Sequence, residues 1–124
     1  MRVIIDTNVM VSIFPRKSLY RWIYEKFLNG EFELSVSTDI LLEYQEIFEW
    51  KFGIEGANLF VSTFYYLSNV NFSPIYFNWN LIDQDKSDNK FVDCYIASNS
   101  DYLVTEDHHF DVVKNIGFSA SQYN

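Results

Sequence analysis

The chain has 124 residues, which bounds it to a single domain spanning 1–124, and its 48% apolar content supports a core and argues against disorder. Seventeen acids against nine bases give a formal net charge of −8. That is a poor match to a general polyanion binder, because phosphate contacts come mainly from Lys and Arg.

No apolar run approaches the roughly 20 residues of a membrane span, and the start Met1-Arg2-Val3-Ile4-Ile5-Asp6 is too short for a signal-peptide core. Cys94 stands alone in an apolar stretch, with no disulfide framework or metal-type spacing around it. These features predict a soluble cytoplasmic protein, no membrane partner and a buried structural thiol.

Residues 2–6 read as a buried strand, short, apolar and β-branched. Asp6-Thr7-Asn8 punctuates it, and Val9 to Phe14 predicts a helix stopping at Pro15. Ser18 is placed to cap a second helix, with Leu19, Trp22, Ile23, Phe27 and Leu28 at helical spacing and Asn29-Gly30 at its end. Phe32 to Val36 reads as the second strand. Ser37 or Thr38 caps the next helix, whose Ile40, Leu41, Tyr44, Ile47 and Phe48 share one face, and Gly53 closes it. Leu59, Phe60, Phe64 and Leu67 predict another helix, followed by a weak strand at Val70–Phe72.

Residues 73–82 alternate and fit either an edge strand or an ordered loop. Asp83 to Asn89 is a polar turn, after which Ser87 or Asp88 caps a helix reaching to about Asn99. Tyr102–Thr105 reads as a strand, with a short helix near Asp111–Lys114 and a last strand near Phe118–Ala120. Strands alternating with helices predict an α/β fold with a mainly parallel sheet covered on both faces.

Five acids sit where solubility explains them poorly: Asp6, Glu43, Asp88, Asp93 and Asp107. Without them the balance falls to twelve acids against nine bases. Asp6 and Asp107 follow apolar runs that read as strands, and ligand sites in α/β folds form outside the carboxyl ends of strands. Asp93 interrupts the apolar stretch Phe91-Val92 and Cys94-Tyr95-Ile96-Ala97. Carboxylates gathered at one edge repel unless a cation or shared protons hold them, and a hard divalent metal prefers oxygen ligands. Each acid also has an ordinary structural reading. Asp6, Asp88 and Asp107 fit helix caps, Glu43 fits a solvated helix face with Glu46 as its competitor, and Asp93 fits a buried ion pair.

Asp6-Thr7-Asn8 after the first strand, Leu41-Leu42-Glu43-Tyr44, Asp88-Asn89-Lys90-Phe91-Val92-Asp93 and Leu103-Val104-Thr105-Glu106-Asp107 occur in one order along nearly the whole chain. In this the chain resembles the PIN-domain family, in its branch of VapC-like toxin components of bacterial and archaeal toxin–antitoxin pairs. The resemblance implies a three-layer α/β/α sandwich with a mainly parallel central sheet. It also implies an endoribonuclease dependent on Mg²⁺ or Mn²⁺, and a cognate antitoxin protein.

By the same resemblance Asp6, Glu43, Asp93 and Asp107 form the catalytic acidic quartet. Asp88 is an auxiliary acid, and Thr7, Asn8 and Thr105 are supporting polar groups. Metal ligation is assigned to Asp6, Asp93 and Asp107, while Glu43 ligates or orients the attacking water. Two features depart from the family pattern: Glu106 stands where a small residue, often Gly, precedes the last acid, and the aromatic run Tyr76–Trp79 has no counterpart.

Arg16, Lys17, Arg21, Lys86 and Lys90 flank these motifs and are the candidate RNA phosphate contacts. His108 and His109 read as surface-loop residues. Neither GxxxxGK[ST] nor GxGxxG occurs, and no nucleophile elbow supports a Ser-His-Asp site. Phosphatases and receiver domains that form an aspartyl phosphate also carry acids at strand ends. Phosphatases of that kind usually have Asp-x-Asp after the first strand, and here the third residue is Asn8. The alternative from another class is a catalytically inactive PIN-like module that binds protein or RNA. The face Leu59, Phe60, Phe64 and Leu67, extended by Tyr65, Tyr66 and residues 76–79, predicts an apolar surface for an antitoxin or a homodimer.

Overall fold

The computed structural model describes residues 1–82 and 88–106, together with the backbone of 121–122. The predicted polar turn before Asp88, the 111–114 helix and the 118–120 strand lie outside those residues, as do Lys86, Asp107, His108 and His109.

Five parallel strands form one sheet in the order β3-β2-β1-β4-β5. They are β1 (Arg2–Ile5), β2 (Glu33–Val36), β3 (Val70–Phe72), β4 (Tyr102–Thr105) and β5 (Ser121–Gln122). The helices are α1 (Thr7–Ile13), α2 (Arg21–Leu28), α3 (Thr38–Tyr66) and α4 (Asn89–Ala97). The architecture is the predicted α/β/α sandwich. β1 is central, with Val3 opposite Leu34 on one side and Tyr102 on the other. Val3, Ile4 and Ile5 are all buried, as a strand covered on both faces requires. Among the described residues no helix is long and apolar enough to cross a membrane.

Local chemistry explains most of the boundaries. Asp6 caps α1, its carboxylate accepting the Val9 N–H at 2.9 Å. Ser37 caps α3 by accepting the Ile40 N–H at 3.3 Å. Gly30 takes a positive φ of 76° after α2, the conformation that a glycine adopts at low cost. Ser18 does not cap α2, contrary to the sequence reading. The helix begins at Arg21 behind Tyr20, and the Ser18 hydroxyl accepts the Tyr20 N–H within the preceding turn. Residues 73–82 form an ordered connection without helix or strand.

Gly53 decides the shape of the helical layer. It lies inside α3 at φ 80° and ψ 172°, so two helical segments meet there at a kink. Phe48 and Phe60 lie on opposite sides of it, yet their rings stack with centroids 3.8 Å apart. Residues twelve apart in an unbroken helix are separated by about 18 Å, so the two segments turn back on each other. Phe14 packs against Tyr24, Phe48, Phe52 and Phe60 in the same cluster. Much of the aromatic content is therefore core. Phe60 and Phe64 are buried in it, which corrects the expectation of an exposed face through them. Leu59, Tyr65 and Tyr66 remain exposed.

Candidate active site at the carboxyl edge of the sheet

Asp6 follows β1 directly, and its N–H donates to the Val104 carbonyl at 3.0 Å, extending the pairing of β1 with β4 by one bond. That bond aims the buried carboxylate between the two strand ends. One oxygen accepts the Val9 N–H, and the other accepts the Thr105 hydroxyl. Asp6 is thus a helix cap and also the partner of a fully buried threonine.

Thr7, the next residue, donates its hydroxyl to Glu43 on α3. The second Glu43 oxygen accepts from the Lys90 ammonium at 2.9 Å, with both side chains mostly shielded from water. Glu46, the competing acid, is exposed. Tyr44 beside Glu43 is fully buried, and its phenol donates to the Ile5 carbonyl. Burial holds that phenol well above its usual range, and the nearby Asp6, Cys94 and Glu43 push it in the same direction. Tyr44 therefore fixes α3 to the end of β1 as a neutral hydrogen-bond donor. Sequence reasoning placed Tyr44 only on an apolar helix face.

α4 supplies Lys90 and, three residues later on the same side of the helix, Asp93. Asp93 is 4% exposed and accepts the Trp79 N–H at 2.9 Å. Burial raises its carboxyl above the ordinary value, and the Trp79 hydrogen bond offsets part of that rise. Cys94 is pushed up to about 12 by burial and then by Asp93, so it is the inert thiol expected. Asn89, unremarked in the sequence beyond its place in the motif, accepts from the Ile82 N–H at 2.8 Å and donates to the Ile82 carbonyl at 3.0 Å. Asp88 occupies the N-cap position of α4, but its side chain does not make the capping bond.

A PIN-domain family profile matches residues 2–109. The chain belongs to the PIN-domain family. Several solved structures share its fold. A chain of the VapBC2 complex from Rickettsia felis, bound to a DNA fragment from its promoter, superposes with a TM-score of 0.70 at 16% identity, covering all of both chains. Mycobacterium tuberculosis VapC20, a toxin that cleaves the sarcin-ricin loop, does so with a TM-score of 0.62 at 8% identity, covering 94% of this chain and 95% of its own. No curated protein matches the sequence.

Within this PIN domain two groups of contacts adjoin through the Asp6–Thr7 peptide, Asp6 with Thr105 and Thr7 with Glu43 and Lys90, and Asp93 lies one turn along α4 from Lys90. Asn8 is exposed on α1 and Glu106 is exposed after β4. Arg16 and Lys17 are exposed as well. Arg21 is committed locally: it pairs with Glu25 at 2.9 Å, donates to the Phe14 carbonyl and lies 4.7 Å from the centre of the Tyr24 ring. Among the described residues, no three or more His, Cys, Asp or Glu side chains form a group able to hold a metal ion. Asp107 is outside those residues. Carboxylate oxygens, as on Asp6, Glu43 and Asp93, are the donor type that a hard divalent cation prefers.

Proposed function

We propose that this PIN domain is an endoribonuclease dependent on Mg²⁺ or Mn²⁺. In this reading it is the toxin of a toxin–antitoxin pair, acting in the cytoplasm and restrained by a cognate antitoxin protein. The observation that carries it is the linkage of Asp6 and Glu43 with Thr7, Lys90 and Thr105 at the carboxyl edge of a parallel sheet, with the buried Asp93 on the adjoining helix. Membership of the PIN-domain family and the shared fold with VapC20 and the VapBC2 complex support it.

Asp6, Asp93 and Asp107 would hold the cation. When bound, it lowers the pKa of a water and neutralises charge on phosphate oxygens. Thr105 and the Val9 N–H orient Asp6, and the Trp79 N–H orients Asp93. Glu43 is turned inward by Thr7 and Lys90, and it orients the attacking water. Water adds to phosphorus, the bond to the 3′ oxygen breaks, and that oxygen takes a proton. The products are a 5′-phosphate and a 3′-hydroxyl. Asp88 is an auxiliary acid and Asn8 a supporting polar group; of the basic candidates, Arg16, Lys17 and Lys86 are the ones to steer phosphate, since Arg21 and Lys90 are engaged with Glu25 and Glu43.

A second reading, a catalytically inactive binding module, is favoured by one observation. Glu43 is already neutralised by Lys90, a pairing that suits a structural role. Incubating the antitoxin-free protein with single-stranded RNA and Mn²⁺, with and without excess chelator, separates the two. Cleavage abolished by chelator supports the nuclease. Cleavage that persists removes the metal mechanism, and no cleavage across varied RNAs supports the module.

A further inference from the structure

We propose that Tyr76, Phe77 and Trp79 form a base-stacking platform that seats an unpaired stretch of RNA beside Asp93, an inference that rests on the ribonuclease reading above. Their side chains are exposed, Tyr76 by 90%, Phe77 by 62% and Trp79 by 45%. Three large rings within four residues leave apolar area in water that the core does not use. The Phe77 and Trp79 rings meet edge to face, 4.8 Å apart at 62°, so they hold each other in orientation.

The backbone behind these rings is tied down. Trp79 donates its N–H to Asp93 at 2.9 Å, and Asn89 holds both polar groups of the Ile82 backbone. Both anchors lie on α4, the helix that carries Lys90. The ring of Trp79 therefore belongs to the residue bonded to the candidate acid. A base stacked there brings its flanking phosphates close to Asp93.

The Trp79 bond to Asp93 places the rings at the candidate site, and the net charge means that RNA seated there is held through its bases more than through its phosphates. The net charge is −8, and among the seven described bases four, Arg2, Arg21, Lys26 and Lys90, are engaged in ion pairs with Glu33, Glu25, Glu31 and Glu43. Phosphate attraction to such a chain is weak, so affinity for RNA has to come largely from uncharged contacts. Stacking on aromatic rings supplies it whatever the base, since every base has a π face. Only unpaired bases present those faces, which selects loops and single strands over duplex.

The test measures binding in chelator, so that cleavage plays no part. Labelled oligoadenylate, an abasic ribose-phosphate oligomer of equal length and an RNA duplex are titrated against the full chain. Phe77→Ala and Trp79→Ala should each weaken oligoadenylate binding by roughly 5- to 150-fold, and Trp79→Phe should recover most of it. Neither alanine variant should change binding of the abasic oligomer, and all variants should keep the wild-type melting temperature closely, since the rings are exposed. Equal oligoadenylate affinity in wild type and alanine variants overturns the proposal. So does loss of self-association in light scattering with RNA affinity unchanged, which makes the surface a protein interface. Cleavage with Mn²⁺ is scored separately. Wild type and alanine variants cleaving with equal KM sinks the platform and keeps the nuclease. Aromatic-dependent binding without cleavage keeps the platform and sinks the nuclease.

Discussion

The Lys90 ammonium lies 2.9 Å from the Glu43 carboxylate and joins α4 to α3 across the carboxyl edge of the sheet. A lysine here acts as a built-in cation for one acid of the candidate site. Removing it leaves a partly shielded carboxylate unpaired. That costs more than a surface pair, worth under about 1 kcal/mol, and less than a fully buried one. Lys90→Met should therefore lower stability by about 1–3 kcal/mol in chelator. It should then gain more from Mn²⁺ than wild type, because a competing charge is gone. Thermal melts of both proteins with and without Mn²⁺ measure this. An equal response to Mn²⁺ makes Glu43 a plain ion-pair partner.

The acids should differ in rank. Asp6→Asn keeps an oxygen for the Val9 N–H, and Asn is as good a helix cap as Asp, so the fold should survive. Asp6→Ala removes the cap and should cost about 1 kcal/mol. Both should abolish RNA cleavage, as should Asp93→Asn. Glu46→Gln should cleave near the wild-type rate, since Glu46 is exposed while Glu43 is the acid bonded to Thr7 and Lys90. Rates from single-turnover cleavage decide the matter, and damage from Glu46→Gln equal to that from Glu43→Gln reassigns the helix acid.

Gly53 offers a test of the fold itself. An added Cβ would meet nothing within 4 Å, so space is not the constraint there. Its φ of 80° with ψ of 172° is a region open almost only to glycine, at a cost of about 1–3 kcal/mol for other residues. Gly53→Ala should lower the chemical-denaturation stability by that amount while leaving the slope unchanged. A neutral result would mean that the kink moves to accommodate alanine.

Strands β1 to β4, the α1 and α3 caps and the break at Gly53 were legible because each rests on neighbours in sequence, whereas β5 at Ser121–Gln122 was not. Apolar runs mark buried strands, a serine or aspartate three residues before an N–H marks a cap, and glycine marks positive φ. Asp6 was legible for the same reason, at the end of an apolar run. The contacts from Trp79 to Asp93 and from Asn89 to Ile82 were not. Each joins a side chain to a backbone group several residues away and leaves no periodic trace. Tyr44 was placed on its apolar face, but the Ile5 carbonyl that it serves is set by the packing of α3 on β1. Phe60 and Phe64 were misjudged because a helical face shows periodicity without showing which side meets the core. That depended on how the two halves of α3 fold about Gly53.

Asp93 ties stability to pH and to metal together. Burial raises its carboxyl above the ordinary carboxylate value. In the folded state it holds its proton more tightly than in the unfolded chain, whose value is about 3.9. Stability is therefore favoured on the acid side and declines as pH rises from about 3.9 through the raised folded value. Asparagine at this position keeps an acceptor for the Trp79 N–H and carries no charge to desolvate. In chelator at neutral pH, Asp93→Asn should melt higher than wild type, and the gap should close as pH falls toward 4. A divalent ion that binds only the folded protein stabilises it by roughly 2.7 kcal/mol at a hundredfold excess over its dissociation constant. Mn²⁺ should raise the wild-type melting temperature at neutral pH, and Asp93→Asn should gain less because it lacks a ligand. The measurement is a set of thermal melts of both proteins across pH in chelator, repeated with Mn²⁺. If Asp93→Asn is the less stable protein in chelator at neutral pH and responds fully to Mn²⁺, the carboxylate serves to anchor Trp79 and has no part in holding a cation.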